Sequence, residues 1–208
     1  MEECKNKLDT FLIPKKYLTT KPSQFSYKLY INLCHYGFWN YFVDGRQNNR
    51  VEHYILDFGY KTLSNYFNTI GWKISRQKIQ KEIENNSVYR IKDHEEFDEV
   101  LGKNLSWNSP VDNYSIFKLE PLSILRTEEE MSIRFYTLLQ GWKYDTMVGV
   151  TQDEILKMIG YSTGGNNYTK LTKCIRRLKE LKLIDYEKRS NGENNTYIIY
   201  YKNSKQGV

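Results

Sequence analysis

Ser26-Tyr27-Lys28-Leu29-Tyr30-Ile31-Asn32-Leu33 and Ser132-Ile133-Arg134-Phe135-Tyr136-Thr137-Leu138-Leu139 have the same pattern: Ser, apolar, basic, apolar, Tyr, two variable residues, Leu. A second match follows each. Thr62 stands eight residues before Ile70-Gly71-Trp72, and Thr151 eight before Ile159-Gly160-Tyr161. After each Gly-aromatic stop comes a polar stretch and then a basic segment with helical spacing. Two copies of one pattern in a chain of 208 residues point to a duplicated module, each long enough to bury a modest core.

Within each copy the expected order is helix, short helix, basic helix, then a strand hairpin, which is the order of a winged helix-turn-helix. The fold expectation is therefore α+β: two tandem winged helix-turn-helix domains, predominantly helical, with small β-hairpin wings. Residues 1–22 form an N-terminal arm, extended because Pro14 and Pro22 oppose a continuous helix. Residues 23–120 form the first module and 127–208 the second.

In the first module Ser23 is the expected cap of a helix over 23–36, with Tyr27, Tyr30, Ile31 and Cys34 on its apolar face. Residues 37–57 carry Phe38, Trp39, Tyr41 and Phe42, then a polar turn, and read as a hairpin or irregular loop. A helix over 62–70 stops at Gly71, and Ser75 caps the next, over 76–85. Residues 88–91 and 114–119 alternate like paired strands around a Gly/Asn/Ser/Pro-rich loop at 102–113, giving a long wing. In the second module Thr127 caps a helix reaching Gln140. Thr151-Gln152-Asp153-Glu154 is a capping box for a helix to Ile159, and the longest helix covers 167–183. A hairpin follows over 185–202, turning at Asn191-Gly192.

The chemistry concentrates in that longest helix. Leu171, Cys174, Ile175 and Leu178 make an apolar face, while Lys170, Lys173, Arg176 and Arg177 lie on the remaining surface. Asn166, Asn167, Tyr168, Thr169 and Thr172 occupy its first turns, where a docked helix meets base edges. Asn and Thr read bases, and Lys and Arg neutralise phosphates. Lys188, Arg189, Asn191 and Asn194 place cations and amides on the hairpin. The bland alternatives are a solvated basic face, and Asn166 or Asn167 acting only as the helix cap. The first module offers Lys73, Arg76 and Lys78, offset by Glu82, Glu84 and an acidic run from Asp93 to Glu96. Its direct contact with DNA is therefore set against a role in dimerisation or partner binding, to which the aromatics at 38–42 are suited.

A formal charge of +6 and a pI near 9.0 permit a nucleic-acid partner. The absence of alanine beside abundant Asn, Lys, Tyr and Ile points to AT-rich codons. Cys4, Cys34 and Cys174 have neither metal-type nor disulfide spacing, so a reducing cytoplasm is the expectation, with Cys34 and Cys174 in cores. No apolar run has the length of a membrane span, and the first residues lack a signal-peptide core. His35, His53 and His94 are isolated, and neither a phosphate-binding loop nor a nucleophile elbow occurs. The reading is of a non-enzyme without cofactor, metal, small-molecule substrate or membrane partner.

The duplicated pattern resembles the replication initiators of bacterial plasmids and phages, and Phe11-Leu12-Ile13-Pro14-Lys15-Lys16-Tyr17-Leu18 looks like the arm before their first winged helix. The resemblance is architectural. It implies a C-terminal module that reads origin repeats in double-stranded DNA and an N-terminal module that makes a homodimer or adds DNA contacts. Transcriptional regulators and segregation adaptors with tandem winged helices are the alternatives.

Overall fold

The structure is a computed structural model that describes residues 10–42, 50–96, 99–110, 114–118, 124–140, 146–191 and 194–201. The chain opens with β1 (Thr10–Pro14), α1 (Lys15–Thr19), α2 (Tyr27–Tyr36), β2 (Phe38–Phe42) and β3 (Arg50–Ile55). It continues through α3 (Tyr60–Thr69), α4 (Arg76–Glu84), β4 (Tyr89–Glu96), β5 (Glu99–Pro110) and β6 (Tyr114–Lys118). The second half holds α5 (Glu130–Gln140), β7 (Thr146–Thr151), α6 (Gln152–Met158), α7 (Gly165–Glu180), β8 (Ile184–Asn191) and β9 (Asn194–Tyr201). The architecture is mixed α+β with antiparallel sheets. No helix among the described residues is long and apolar enough to cross a membrane.

One element order occurs twice: helix, strand, two helices, hairpin. The three strands also stack alike, β3-β5-β4 in the first half and β7-β9-β8 in the second, with the last strand central in both. The first half adds β2 on the outer edge of β3.

Side-chain caps start three helices, α2, α4 and α6, whereas α5 begins at Glu130, beyond the expected cap Thr127. Ser75 Oγ accepts from the Lys78 N–H, and Thr151 forms a reciprocal box with Glu154. The first helix of the first half begins later than expected. Residues 22–24 form a turn after Pro22, and Ser26, not Ser23, caps α2 by accepting from the Leu29 N–H. The arm is not simply extended either, since Lys15–Thr19 are helical directly after Pro14, which suits a first helical turn. The longest helix spans 165–180 rather than 167–183.

Two strand expectations are corrected. Residues 114–118 do not pair with 89–96; they pair with the arm, Thr10↔Lys118 through Pro14↔Tyr114. The partner of β4 is β5, within the stretch that reads as loop. The reason is Leu105 and Trp107, two residues apart and 0% and 1% exposed. They line the inner face of a central strand, with Ile55 and Ile91 flanking Leu105, and His53 and Tyr89 flanking Trp107. Burial of that pair outweighs the weak strand preference of their Gly, Asn and Ser neighbours. Strand content thus exceeds the small wings expected.

The halves share one core. Eight of the ten α2 residues and eight of the eleven α5 residues are buried, which a helix packed on its own module alone does not need. The basic residue of each repeated motif lies in this interface. Lys28 Nζ donates to the backbone carbonyls of Thr127 and Glu128, which lead into α5, and lies 5.0 Å from the Trp72 ring. Arg134, wholly buried, donates to the carbonyls of Leu18 (2.7 Å), Thr20 (2.6 Å) and Phe25 (2.9 Å), which lead into α2. It also donates to Ile159 O and pairs with Glu130, its guanidinium 5.2 Å from the Tyr27 ring and 6.0 Å from Tyr161. Each motif's cation therefore faces its own half's Gly-aromatic ring and holds the other half's lead-in. Glu130 reinforces the bond by accepting from Ser26 Oγ and the Tyr27 N–H. The glycines fit the same plan. Gly160 has φ +79°, and a Cβ there would lie 2.7 Å from the carbonyl oxygens of Thr19 and Thr20. Gly71, at φ +89°, has only Thr127 Cγ2 at 3.7 Å.

Candidate nucleic-acid interface

α7 presents two unlike faces. Leu171, Cys174, Ile175 and Leu178 are buried, while Asn166, Thr169, Lys170, Lys173, Arg176 and Arg177, spaced three and four apart, are exposed. Burial pushes the Cys174 thiol up to about 12, as it does that of Cys34, so both are inert core residues.

The helix begins after a turn containing Gly164 at φ +121° and Gly165 at φ +33°. Gly164 is the N-cap and provides no side-chain acceptor. The start of α7 therefore has no side-chain cap at the positive end of the helix dipole, although the Asn167 N–H donates to Gly164 O at 3.0 Å. Neither Asn166 nor Asn167 is the cap. The helix starts before both of them, and Asn167 Nδ2 instead braces the turn by donating to Ser162 O (2.9 Å) and Oγ (3.1 Å). Asn166 and Thr169 stay exposed at the helix start.

Tyr168 and Thr172 are half-buried and anchor the helix. Tyr168 Oη donates to Asp153 at 2.5 Å. Thr172 Oγ1 donates to Tyr168 O and accepts from Gln152 Nε2, which also reaches Tyr197 Oη at 3.3 Å. These bonds fix α7 against α6 and β9.

The cations differ in how far they are engaged. Lys170, Lys173 and Arg176 are exposed, and none forms an ion pair with the described residues. Arg177 is held by Glu128, its Nη2 2.8 Å from Oε1 and its Nε 3.1 Å from both carboxylate oxygens, with Glu180 at 3.5 Å. Lys179 pairs with Asp185 at 2.6 Å. Lys188 and Arg189 are exposed on β8. Asn191 and Asn194 are the facing pair that ends the β8–β9 ladder; their side chains and the Gly192 turn lie outside the described residues.

In the first half α4 buries Ile79 and Ile83 and exposes Arg76, Lys78 and Lys81, with exposed Lys73 just before it. The two acids counted against this helix have internal roles. Glu82 accepts from the Ser26 N–H at 2.6 Å, and burial raises its pKa. Glu84 accepts from Tyr60 Oη and Gln80. Asp93 is exposed on β4, but so are Arg90 and Lys92, which lessens the acidity of that hairpin. The side chains of Phe38, Trp39, Tyr41 and Phe42, like His94, lie outside the described residues.

Among the described residues no cluster of His, Cys, Asp and Glu could hold a metal. His53 is 2% exposed and stacks on Trp107 at 5.3 Å. Neither ring nitrogen has a hydrogen-bond partner among the described residues, and burial lowers its pKa to about 4. A shallow groove beside β7 is lined by Val148, Gly149, Val150, Glu154, Lys157 and Met158. Its one carboxylate is already bonded to Thr151, so it has no convergent polar set.

Sequence reasoning placed the basic face of α7 but missed Lys28, Arg134 and Glu128. The available signal was a cation recurring at the third position of an otherwise apolar motif. No protein-family model matches this chain, and no curated protein or solved structure gives a significant match.

Proposed function

We propose that this chain is a non-enzymatic, sequence-specific double-stranded-DNA-binding protein of the cytoplasm, built of two tandem winged helices. The second module is the principal reader. The observation that carries the proposal is the outer face of α7. There Lys170, Lys173 and Arg176 stand unpaired among the described residues behind an uncapped helix start that exposes Asn166 and Thr169. A helix of this kind, preceded by a short helix and a turn and followed by a hairpin with exposed Lys188 and Arg189, has the parts that docking in a major groove needs. Phosphate neutralisation supplies affinity, and the small polar residues supply base contacts.

Of the roles open to such a binder, we favour an origin-binding initiator of a plasmid or phage. The two halves are joined through a common core, so two helices would meet DNA at a fixed separation, which suits repeated sites. The arm, paired with β6 and bonded to Arg134, adds to that rigidity.

The test is binding to AT-rich duplex DNA across a salt series. Lys173→Ala and Arg176→Ala should each reduce the log–log salt slope by about 1. If Arg76→Ala and Lys78→Ala cost more than these, the roles of the two modules are reversed. A plasmid lacking its own origin, carrying this gene with its flanking DNA, separates an initiator from a regulator by whether it is maintained.

A further inference from the structure

Resting on that reading, we propose that Glu128 sequesters Arg177 from DNA, so that the lead-in to α5 restrains the affinity of the α7 face. Arg177 belongs to this face by its spacing from Lys170 and Lys173, yet its guanidinium is already occupied. Three hydrogen bonds of 2.8–3.1 Å engage its Nε and Nη2 with the Glu128 carboxylate. That edge of the fork is one of the two that a phosphate takes in bidentate recognition. Glu180 stands 3.5 Å from Nη1 on the other side. A backbone phosphate approaching Arg177 meets a carboxylate where it needs a donor, and a like charge beside it.

The restraint is built in rather than a chance surface pair. The Glu128 side chain is only 17% exposed, against 47% for Arg177, so the acid is the fixed partner. Its backbone is held independently, because Lys28 Nζ from the first half donates to the carbonyls of Thr127 and Glu128. One residue thus uses its main chain in the contact between the halves and its carboxylate on the candidate DNA-reading helix. Lys173 and Arg176, flanking Arg177 on the same face, form no such pair with the described residues.

The experiment measures affinity of the full chain for a fluorescent AT-rich duplex of 30 base pairs, from 50 to 200 mM salt. Glu128→Gln keeps the size and the backbone contact with Lys28 while releasing the guanidinium. The expected result is tighter binding at low salt and a steeper log–log slope by about 0.9. Over that fourfold range this is about 3.5-fold more affinity lost than in the unaltered protein. Arg177→Gln alone should change affinity less than 2-fold, and the double variant Glu128→Gln/Arg177→Gln should lose the whole gain. Glu129→Gln removes the same charge from the neighbouring position, which is exposed and bonds no part of Arg177, and should leave the slope unchanged.

Three results overturn the proposal. Glu128→Gln could weaken binding or leave its slope unchanged. Arg177→Gln alone could cost as much as Arg176→Gln, which would mean Arg177 already meets phosphate. Glu129→Gln could match the gain, which would reduce the effect to general field strength. Salt-dependent binding of the unaltered protein with any of these outcomes rejects this inference and leaves the DNA reading standing. Absence of duplex binding by every form rejects both. Melting temperatures of all variants confirm that each is folded.

Discussion

Replacing Arg134 with leucine tests whether the two halves are held by the bonds described. The side chain is wholly buried and pairs with Glu130, whose own side chain is 19% exposed. Its loss leaves the carbonyls of Leu18, Thr20, Phe25 and Ile159 without this donor. Removing one partner of a buried ion pair costs about 3–5 kcal/mol, because the remaining charge is stranded. Leucine returns only part of this through apolar burial, so a net loss of about 3 kcal/mol is expected, with about 2–4 °C of melting temperature per kcal/mol in a chain of this size. The predicted fall is therefore about 6–12 °C by calorimetry. Limited proteolysis should show new cleavage between 15 and 26, since those carbonyls anchor the lead-in to α2. Arg134→Lys should fall in between, as one ammonium cannot reach carbonyls on several sides at once. A leucine variant melting within about 2 °C of the unaltered protein, with no new cleavage, would refute the assignment of Arg134 as the bond between the halves.

Three further outcomes follow from particular groups. Burial holds the His53 imidazole neutral, with its pKa lowered from 6.5 to about 4. Its folded pKa is depressed, so the unfolded chain binds the proton first and stability declines as pH falls from about 6.5 to 4, by roughly 3 kcal/mol in all; urea unfolding should show this slope, and His53→Phe should flatten it. Gly160→Ala should destabilise by more than about 2 kcal/mol and Gly71→Ala by about 1, because both have positive φ but only Gly160 is crowded by backbone carbonyls; equal losses in thermal unfolding would mean the crowding relaxes freely. Asn167→Ala should lower the melting temperature by freeing the Ser162 turn, whereas Asn166→Ala should leave stability nearly intact and cost about 1–3 kcal/mol on the preferred DNA site alone, measured as the ratio of specific to non-specific affinity.

What could be read in advance was whatever is decided locally. Ser75 and Thr151 announce their helices because a cap acts within one turn. The outer face of α7 follows from three- and four-residue spacing, and the recurrence of one element order in the two halves from the repeated motif. Pairing decisions were hidden. The alternation at 114–118 indicates a strand but not that its partner is the arm, roughly a hundred residues earlier. Leu105 and Trp107 make β5 a central strand, yet Gly102, Asn104, Ser106 and Asn108 around them imitate a loop. The starting point of α7 was misplaced because Gly164 fills a cap position where a polar side chain was expected. The Arg177–Glu128 contact joins residues 49 apart, and no periodicity links them. The repeat pattern makes Arg134 an ordinary member, whereas its carbonyl acceptors at Leu18, Thr20, Phe25 and Ile159 lie far from it in sequence.

The reciprocal grip of Lys28 and Arg134 has a consequence for how the halves stay together. When each of two similar units holds the other by the same position, the arrangement is that of an isologous pair, in which one surface serves as both partners. Two separate units, each with one cation at that site, would associate through two identical contacts. Joining the units end to end removes the concentration dependence of that association and releases the copies from having to remain identical. The present differences have that character. One half has lysine and the other arginine at the shared position, and among the described residues the first half alone carries the added strand β2.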